Sequence, residues 1–408
     1  MADYTKYNGV AAADIVKIDG VAVANLVKCD GTDKPSSGAT RWGAASIDHY
    51  ISWANAADIA DLDTWESNVF RIRDNSADLN DIAYGLDSSG NPLWMATGLG
   101  GNDEIMFDGN NDITDDSAWS DENIDTSHGR RVKILYGAGD GASDSSSGSS
   151  ETRVAAWLSV GRNASSKVYV YRTTDGGSNW TGLNLDGLTN IADSSNADDH
   201  IRSIASDGLG TWLIGQRGNL YISTDSGVSF SFLIQPTGDG GHLIRDIVYT
   251  NSTWVVVTKQ GTDLHVSTCA ASTKANMDAS GDWSSSTHIT DGTNDLNGNG
   301  GADSIAAAGA AGRVCVMDGV NVQPMSVSGK TISFVGDRQA IPLTETPANC
   351  LATDGSTWLI GTGGASDTGD ICRSTNGGEA WGSGPIVDGI NASFKSVISI
   401  APNVLMPI

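Results

Sequence analysis

Glutamate is scarce in this 408-residue chain: it occurs only at positions 66, 104, 122, 151, 345 and 379, and aspartate supplies the rest of the 49 acidic residues. Glu favours helices, whereas Asp competes for backbone hydrogen bonds in turns. No stretch keeps a 3.6-residue apolar period, so a helical protein is excluded. Basic residues are few as well, 24 against 49 acidic ones, a net charge of −25. That balance argues against nucleic acid and against an anionic membrane surface as partners, and leaves cations and other proteins. No run of about 18 apolar residues is present to span a bilayer. The opening MADYTKYNGV is polar and lacks the apolar region of a signal peptide. The five cysteines, Cys29, Cys269, Cys315, Cys350 and Cys372, are odd in number and show no CxxC or Cys/His metal spacing. They read as buried thiols in a chain made and folded in a reducing cytosol.

What the chain does have is 50 glycines and 12 tryptophans. Gly and Asp in this abundance mark many short strands joined by tight polar turns, an all-β fold. Residues 6–31 repeat with a period of 11: Lys6-Tyr7-Asn8-Gly9, Lys17-Ile18-Asp19-Gly20, Lys28-Cys29-Asp30-Gly31. The Asn-Gly and Asp-Gly pairs form tight turns between short strands. Such units bury too little apolar surface to stand alone, so the arm docks on another chain or on copies of itself in an oligomer. The expected division is an attachment arm at 1–34, a linker at 35–47 and the main domain at 48–408. The Lys-x-Asp/Asn-Gly-Val pattern resembles N-terminal segments of structural proteins of tailed bacteriophages, which implies a virion protein made in the host cytoplasm, with other virion proteins as partners of 1–34.

A second repeat is S/T-x-D/N-x-G-x-x-W/F. It occurs at 173–180 with Asp175, Gly177 and Trp180, at 223–230 with Asp225, Gly227 and Phe230, and at 374–381 with Asn376, Gly378 and Trp381. The Asx side chain accepts turn amides, Gly takes the positive φ, and the ring covers the hairpin. This resembles the Asp-box, or BNR, hairpin of sialidase-like β-propellers. Trp-led apolar strands follow turns at Trp94, Trp157, Trp212, Trp254 and Trp358, with Arg313-Val314 as an aromatic-free version. Each follows an inner strand, near Ile82, Ile134, Ile204, Ile247, Ile305 and Leu351, and a seventh inner strand lies near Val397. The count implies a seven-bladed β-propeller, with six blades as the alternative. One blade would be shared: residues about 48–70 beside 394–408, which removes free edges. The Trp residues read as core rather than as sugar-binding platforms.

The sialidase set is a cluster of arginines, a Tyr nucleophile assisted by Glu, and an acid/base Asp. Phe70-Arg71-Ile72 faintly resembles the start of that family, but Arg73 stands where its proline would be. The segment also falls on an outer strand, so the chain reads as a non-enzyme. Aligning the inner strands puts Asn80, Val132, Arg202, Arg245, Asp303, Asn349 and Lys395 at one level, at the channel mouth on the face opposite the Asp-box hairpins. There Arg202, Arg245 and Lys395, beside Asp303, would be available to an anionic ligand such as a host-surface glycan; the plainer reading is a polar channel lining. Asp291, Asp295 and Asn297 alternate as in a calcium loop, but the bidentate Glu expected at the twelfth place is Ala302. No cofactor is otherwise implied, and the histidines have no partner at a useful spacing. The leading function is thus a phage propeller appendage; a sialidase-like enzyme and a cellular adhesion or assembly propeller are the alternatives.

Overall fold

The structure is a computed structural model. It describes residues 28–29, 32–33, 41–46, 50–55, 60, 69–71, 78–99, 105–108, 113, 119–122, 128–141, 152–163, 168–191, 201–237, 242–270, 274–290, 296, 306–342, 347–362, 369–382, 387–390 and 394–399. In the arm, β1 (Lys28–Cys29) and β2 (Thr32–Asp33) pair as a hairpin on either side of the Asp30-Gly31 dipeptide, where the third 11-residue repeat calls for a turn.

The other described strands pair in antiparallel sheets, with short 3-10 turns at Lys274–Asn276, Ser280–Asp282 and Ala310–Gly312. β3 (Arg41–Ser46), β4 (Tyr50–Asn55) and β5 (Val69–Arg71) belong to a sheet completed by the last strand of the chain. Sheet 1 follows as β6 (Asp78–Leu86), β7 (Pro92–Leu99), β8 (Ile105–Asp108) and β9 (Trp119–Glu122). Sheet 2 is β10 (His128–Gly137), β11 (Ala156–Asn163), β12 (Val168–Thr173) and β13 (Thr181–Asn184). Sheet 3 is β14 (Ile201–Ser206), β15 (Trp212–Gln216), β16 (Asn219–Ser223) and β17 (Ser231–Ile234). Sheet 4 is β18 (His242–Thr250), β19 (Thr253–Gln260), β20 (Asp263–Cys269) and β21 (Thr287–His288). Sheet 5 is β22 (Ala306–Ala308), β23 (Arg313–Met317), β24 (Asn321–Ser328) and β25 (Thr331–Phe334), with β26 (Gln339–Ala340) also on β24. Sheet 6 is β27 (Ala348–Thr353), β28 (Trp358–Thr362), β29 (Gly369–Ser374) and β30 (Val387–Ile390). β31 (Phe394–Ser399) then pairs with β3 to give the order β31-β3-β4-β5, sheet 7.

The first strands touch in one cycle, β6 to β10, β14, β18, β22, β27, β31 and back to β6. This is a β-propeller. The expected boundary is corrected at one place: Arg41–Ser46, assigned to the linker, is the second strand of sheet 7, with Val397 opposite Ala44 and Ser399 opposite Trp42. Among the described residues the shared sheet therefore takes three strands from the N-terminal side and one from the C-terminal side. The signal was present in Arg41-Trp42, another Trp-led strand.

Trp42, Trp94, Trp157, Trp212, Trp254 and Trp358 all begin, or nearly begin, second strands, and each is at most 1% exposed. They are core, as their spacing implies. On the neighbouring first strand an aromatic often faces them: Tyr84 and Trp94 lie 5.3 Å apart, Tyr249 and Trp254 4.6 Å. The indoles also wedge against glycines of the preceding sheet. A Cβ on Gly43 would come 2.8 Å from Trp94, one on Gly309 2.8 Å from Trp358, and one on Gly137 would overlap Trp212. Each hydrophobic cluster accordingly joins neighbouring sheets; Leu213, Leu220 and Ile222 of sheet 3, for example, pack with Ile247, Trp254 and Val256 of sheet 4. Cys269, Cys315, Cys350 and Cys372 are buried and outside any disulfide. Burial raises the Cys372 thiol to about 12 and that of Cys269 to about 11, so neither is a thiolate near neutrality.

Candidate functional site

The two faces of the ring differ in chemistry, and strand direction defines them. First strands start on one face and end on the other, where the turns between strands one and two and between strands three and four both lie.

On that turn face the three repeated S/T-x-D/N turns share one hydrogen-bond plan. Asp175 Oδ1 accepts Thr173 Oγ1 (2.6 Å) and the Asn179 amide (2.9 Å), while Gly177 N donates to Thr173 Oγ1 (3.2 Å). Asp225 repeats this with Ser223 and Ser229, and Asn376 with Ser374 and Ala380. Gly177, Gly227 and Gly378 have φ of 94°, 81° and 84°, which a side chain would strain. The acid or amide at the third position follows its partner. Asp175 Oδ2 accepts Asn179 Nδ2 and Asp225 Oδ2 accepts Ser229 Oγ, but position 380 is alanine, and there the residue is Asn376. Burial acts to raise the Asp175 carboxyl, yet the hydrogen bonds from Thr173 and Asn179 prevail and hold it below the usual carboxylate value.

These turns also lean on the preceding sheet. Ser226, at φ 58°, donates its amide to Gly210 O, accepts Val154 N on Oγ (2.9 Å) and accepts Arg172 Nε on its carbonyl (2.7 Å). Trp381 is buried and donates Nε1 to Gly378 O (3.1 Å), Phe230 is buried, and Trp180 packs partly buried against the cluster of Leu93 and Trp157. A second turn family shares this face: Asp87, Asp207 and Asp354 each accept amides two to four residues ahead. Burial raises the Asp207 carboxyl above its ordinary value although Leu209 and Thr211 donate to it.

On the opposite, mouth face, six of the first strands carry a β-bulge, and the bulges fall at one level. Each leaves a single residue without a ladder partner: Asn80 between Leu79 and Asp81, Val132 in β10, Arg202 in β14, Arg245 in β18, Asn349 in β27 and Lys395 in β31. These are six of the seven residues that inner-strand alignment brings together; Asp303 lies outside the described residues. A bulge re-aims its side chain and sharpens local twist, so sequence alignment found a real structural level. Asn80 and Asn349 are buried, and Arg202 and Arg245 half-buried on adjacent sheets. One expectation needs correction: Arg202 and Arg245 already make contacts within the protein. A polar group at this depth must be paired to offset its desolvation, so any anion would have to compete with those contacts.

Just past the bulge, Asp81 and Asp246 reach the next sheet: Ile134 N donates to Asp81 Oδ2 (2.9 Å) and Ala306 N to Asp246 Oδ2 (3.0 Å). They satisfy amides on the inner edges of strands, which have no ladder partner toward the axis.

Three histidines that sequence reading treats as isolated are brought together on sheet 4. His242, His265 and His288 stand in a row on β18, β20 and β21, with ring centroids 5.2 and 4.9 Å apart. Their spacing of 23 residues, twice over, was the available signal. Asp291, Asp295 and Asn297 lie outside the described residues, and among the described residues no group of three or more His, Cys, Asp or Glu is arranged to hold a metal ion.

No family model and no curated protein matches the sequence. Solved structures with a similar course include "YCF48 bound to D1 peptide", at 14% identity over 74% of this chain and 80% of that one, with a TM-score of 0.45. A putative 6-phosphogluconolactonase from Bacteroides uniformis is 9% identical over 88% and 99%, TM-score 0.48. Apo AztD from Citrobacter koseri is 11% identical over 88% and 98%, TM-score 0.46.

Proposed function

We propose that this chain is a non-enzymatic, seven-bladed binding propeller of the Asp-box kind, carried on a tailed-bacteriophage particle by its N-terminal arm. The arm's 11-residue repeat supports the attachment role. The observation that carries the orientation is the polarity of sheet 7. Arg41 starts β3 opposite the end of β31, since Trp42 pairs with Ser399 and Ser46 with Phe394. The main domain therefore begins on the turn face. A chain tethered there holds its turn face toward the carrier and its bulged mouth toward the surroundings. On this reading the mouth, with Arg202, Arg245 and Lys395 around it, meets any host-surface anion, and the turns brace the disc.

The test is incorporation and adsorption. Purified particles should contain the chain in fixed stoichiometry, and removal of residues 1–40 should abolish incorporation while leaving the ring folded. Charge reversal at Arg202 and Arg245 should lower adsorption most at low salt, where charge interactions are least screened. Normal incorporation of the truncated chain would overturn the attachment role, and turnover of sialosides or other glycosides by the purified chain would overturn the non-enzyme reading.

A further inference from the structure

We propose that Asn376-Gly377, in the third repeated turn, is a self-processing site at which the chain converts its own asparagine side chain to aspartate. The turn follows β29, and Asn376 is exposed. Its side-chain carbonyl receives two donors: Ala380 N lies 2.9 Å and Ser374 Oγ 2.8 Å from Oδ1. The Ser374 hydroxyl accepts Gly378 N (3.1 Å) and turns its single proton toward Oδ1. Two donors at these distances act as an oxyanion pair. They polarise Cγ and stabilise the negative charge that gathers on Oδ1 when Cγ is attacked.

The leaving group and the nucleophile are both unobstructed here. Asp175 Oδ2 accepts Asn179 Nδ2 and Asp225 Oδ2 accepts Ser229 Oγ, but position 380 is alanine. Among the described residues Asn376 Nδ2 therefore has no hydrogen-bond partner. The nucleophile is the main-chain nitrogen of Gly377, which likewise makes no hydrogen bond among the described residues. At φ 76° this residue carries no side chain to hinder approach. Arg313 of sheet 5 lies against it: a Cβ on Gly377 would sit 3.1 Å from Arg313 Nε and 3.5 Å from Nη2. Arg313 Nη2 also pairs with Glu379 Oε1 at 2.9 Å. A guanidinium beside an amide favours the deprotonated, anionic form of that amide, as any opposite charge does.

The reaction balances with water alone. Hydroxide takes the Gly377 amide proton, the nitrogen forms a bond to Asn376 Cγ, and charge moves onto Oδ1. The Cγ–Nδ2 bond then breaks, and Nδ2 takes a proton from water and leaves as ammonia. Water opens the resulting succinimide ring at either carbonyl. Addition at Cγ breaks its new bond to nitrogen and leaves aspartate in an unaltered main chain. Addition at the main-chain carbonyl breaks the original peptide bond and leaves isoaspartate. Ala380 N and Ser374 Oγ act on the oxygen of Cγ in both steps, so the folded turn directs water to Cγ and yields aspartate. The third turn then carries the acid found in the other two. Asp175 and Asp225 have the same donors but no amide to lose.

Incubation of the full chain at mildly alkaline pH in heavy-oxygen water, followed by peptide mapping with fragmentation that separates aspartate from isoaspartate, tests this. The peptide holding 374–381 should show the mass of an amide-to-acid exchange with a single heavy oxygen, and aspartate should exceed isoaspartate several-fold. The same chain held unfolded in urea should show no such excess of aspartate. Ala380→Asn alters an exposed side chain, keeps the main-chain donor and gives Nδ2 an acceptor; it should slow conversion several-fold. Arg313→Gln should slow it as well, by removing the cation beside Gly377. A native protein that does not convert, a native product ratio equal to that of the unfolded chain, or unchanged rates in both variants would each overturn the proposal.

Discussion

On the turn face Asp87, Asp175, Asp207, Asp225, Asp354 and Asn376 accept amides no more than four residues away. Toward the mouth, Asp81 and Asp246 take amides 53 and 60 residues distant, and the histidine row joins strands 23 residues apart. On one face the Asx hydrogen bonds close within a hairpin; on the other the partners come from distant strands of the same sheet or from the next sheet. Damage to the first should stay local, and damage to the second should reach across sheets.

The sharpest break of that contrast is at the closure. Deleting 394–408 leaves β3 without its inner partner and opens the ring between sheets 6 and 1. The expected outcome is loss of a single cooperative thermal transition by circular dichroism, whereas deleting 1–40 should leave the melt unchanged. A native-like melt without β31 would show that the sheets stand independently.

Next in size is Trp212→Ala, which empties the wedge against Gly137. It should cost about 3–5 kcal/mol, as large-to-small core changes do, read as a shifted urea midpoint. Asp246→Ala should cost about 1–3 kcal/mol, because it strips a buried inter-sheet acceptor from the Ala306 amide. Exchange protection should then fall in sheet 5 as well as sheet 4.

Asp175→Ala, on the turn face, should cost less, about 0.5–2 kcal/mol by analogy with a lost helix cap, with loss of protection confined to 173–180. Because the folded state holds the Asp175 carboxyl low, its contribution is present above the unfolded value of about 3.9 and is lost as pH falls below it. Asp207 has the opposite sign, since burial raises it: ionising it costs stability, and acid relieves that cost. Denaturant midpoints at about pH 5 and about pH 3 should therefore show a smaller acid loss for Asp175→Asn than for wild type, and a larger one for Asp207→Asn. The smallest effect belongs to Asn376→Asp, within about 0.5 kcal/mol, since Oδ1 keeps both its donors and the new oxygen is exposed. A large penalty there would mean that the amide has a role which the turn geometry omits.

The turn face was legible in the sequence because Asx, Gly and aromatic residues at fixed offsets state the whole hydrogen-bond plan of a hairpin. The six-bulge level was legible only as an alignment of unlike residues, Asn, Val, Arg and Lys, since a bulge is a property of the ladder and places no demand on side-chain type. The role of Arg41–Ser46 was missed because the run Arg-Trp-Gly-Ala-Ala-Ser is weakly apolar and its partner lies about 350 residues away, between positions 42 and 399.

By itself, then, the sequence determined an all-β chain with repeated hairpins, the burial of the tryptophans that lead second strands and the repeated arm, all of which depend on neighbours within about ten residues. Only the tertiary structure decided which strand closes the ring, that Arg202 and Arg245 are already engaged, and that three histidines 23 residues apart share one row. Each of those depends on register between strands or sheets distant in sequence, and register is set by packing of the whole ring rather than by any local motif.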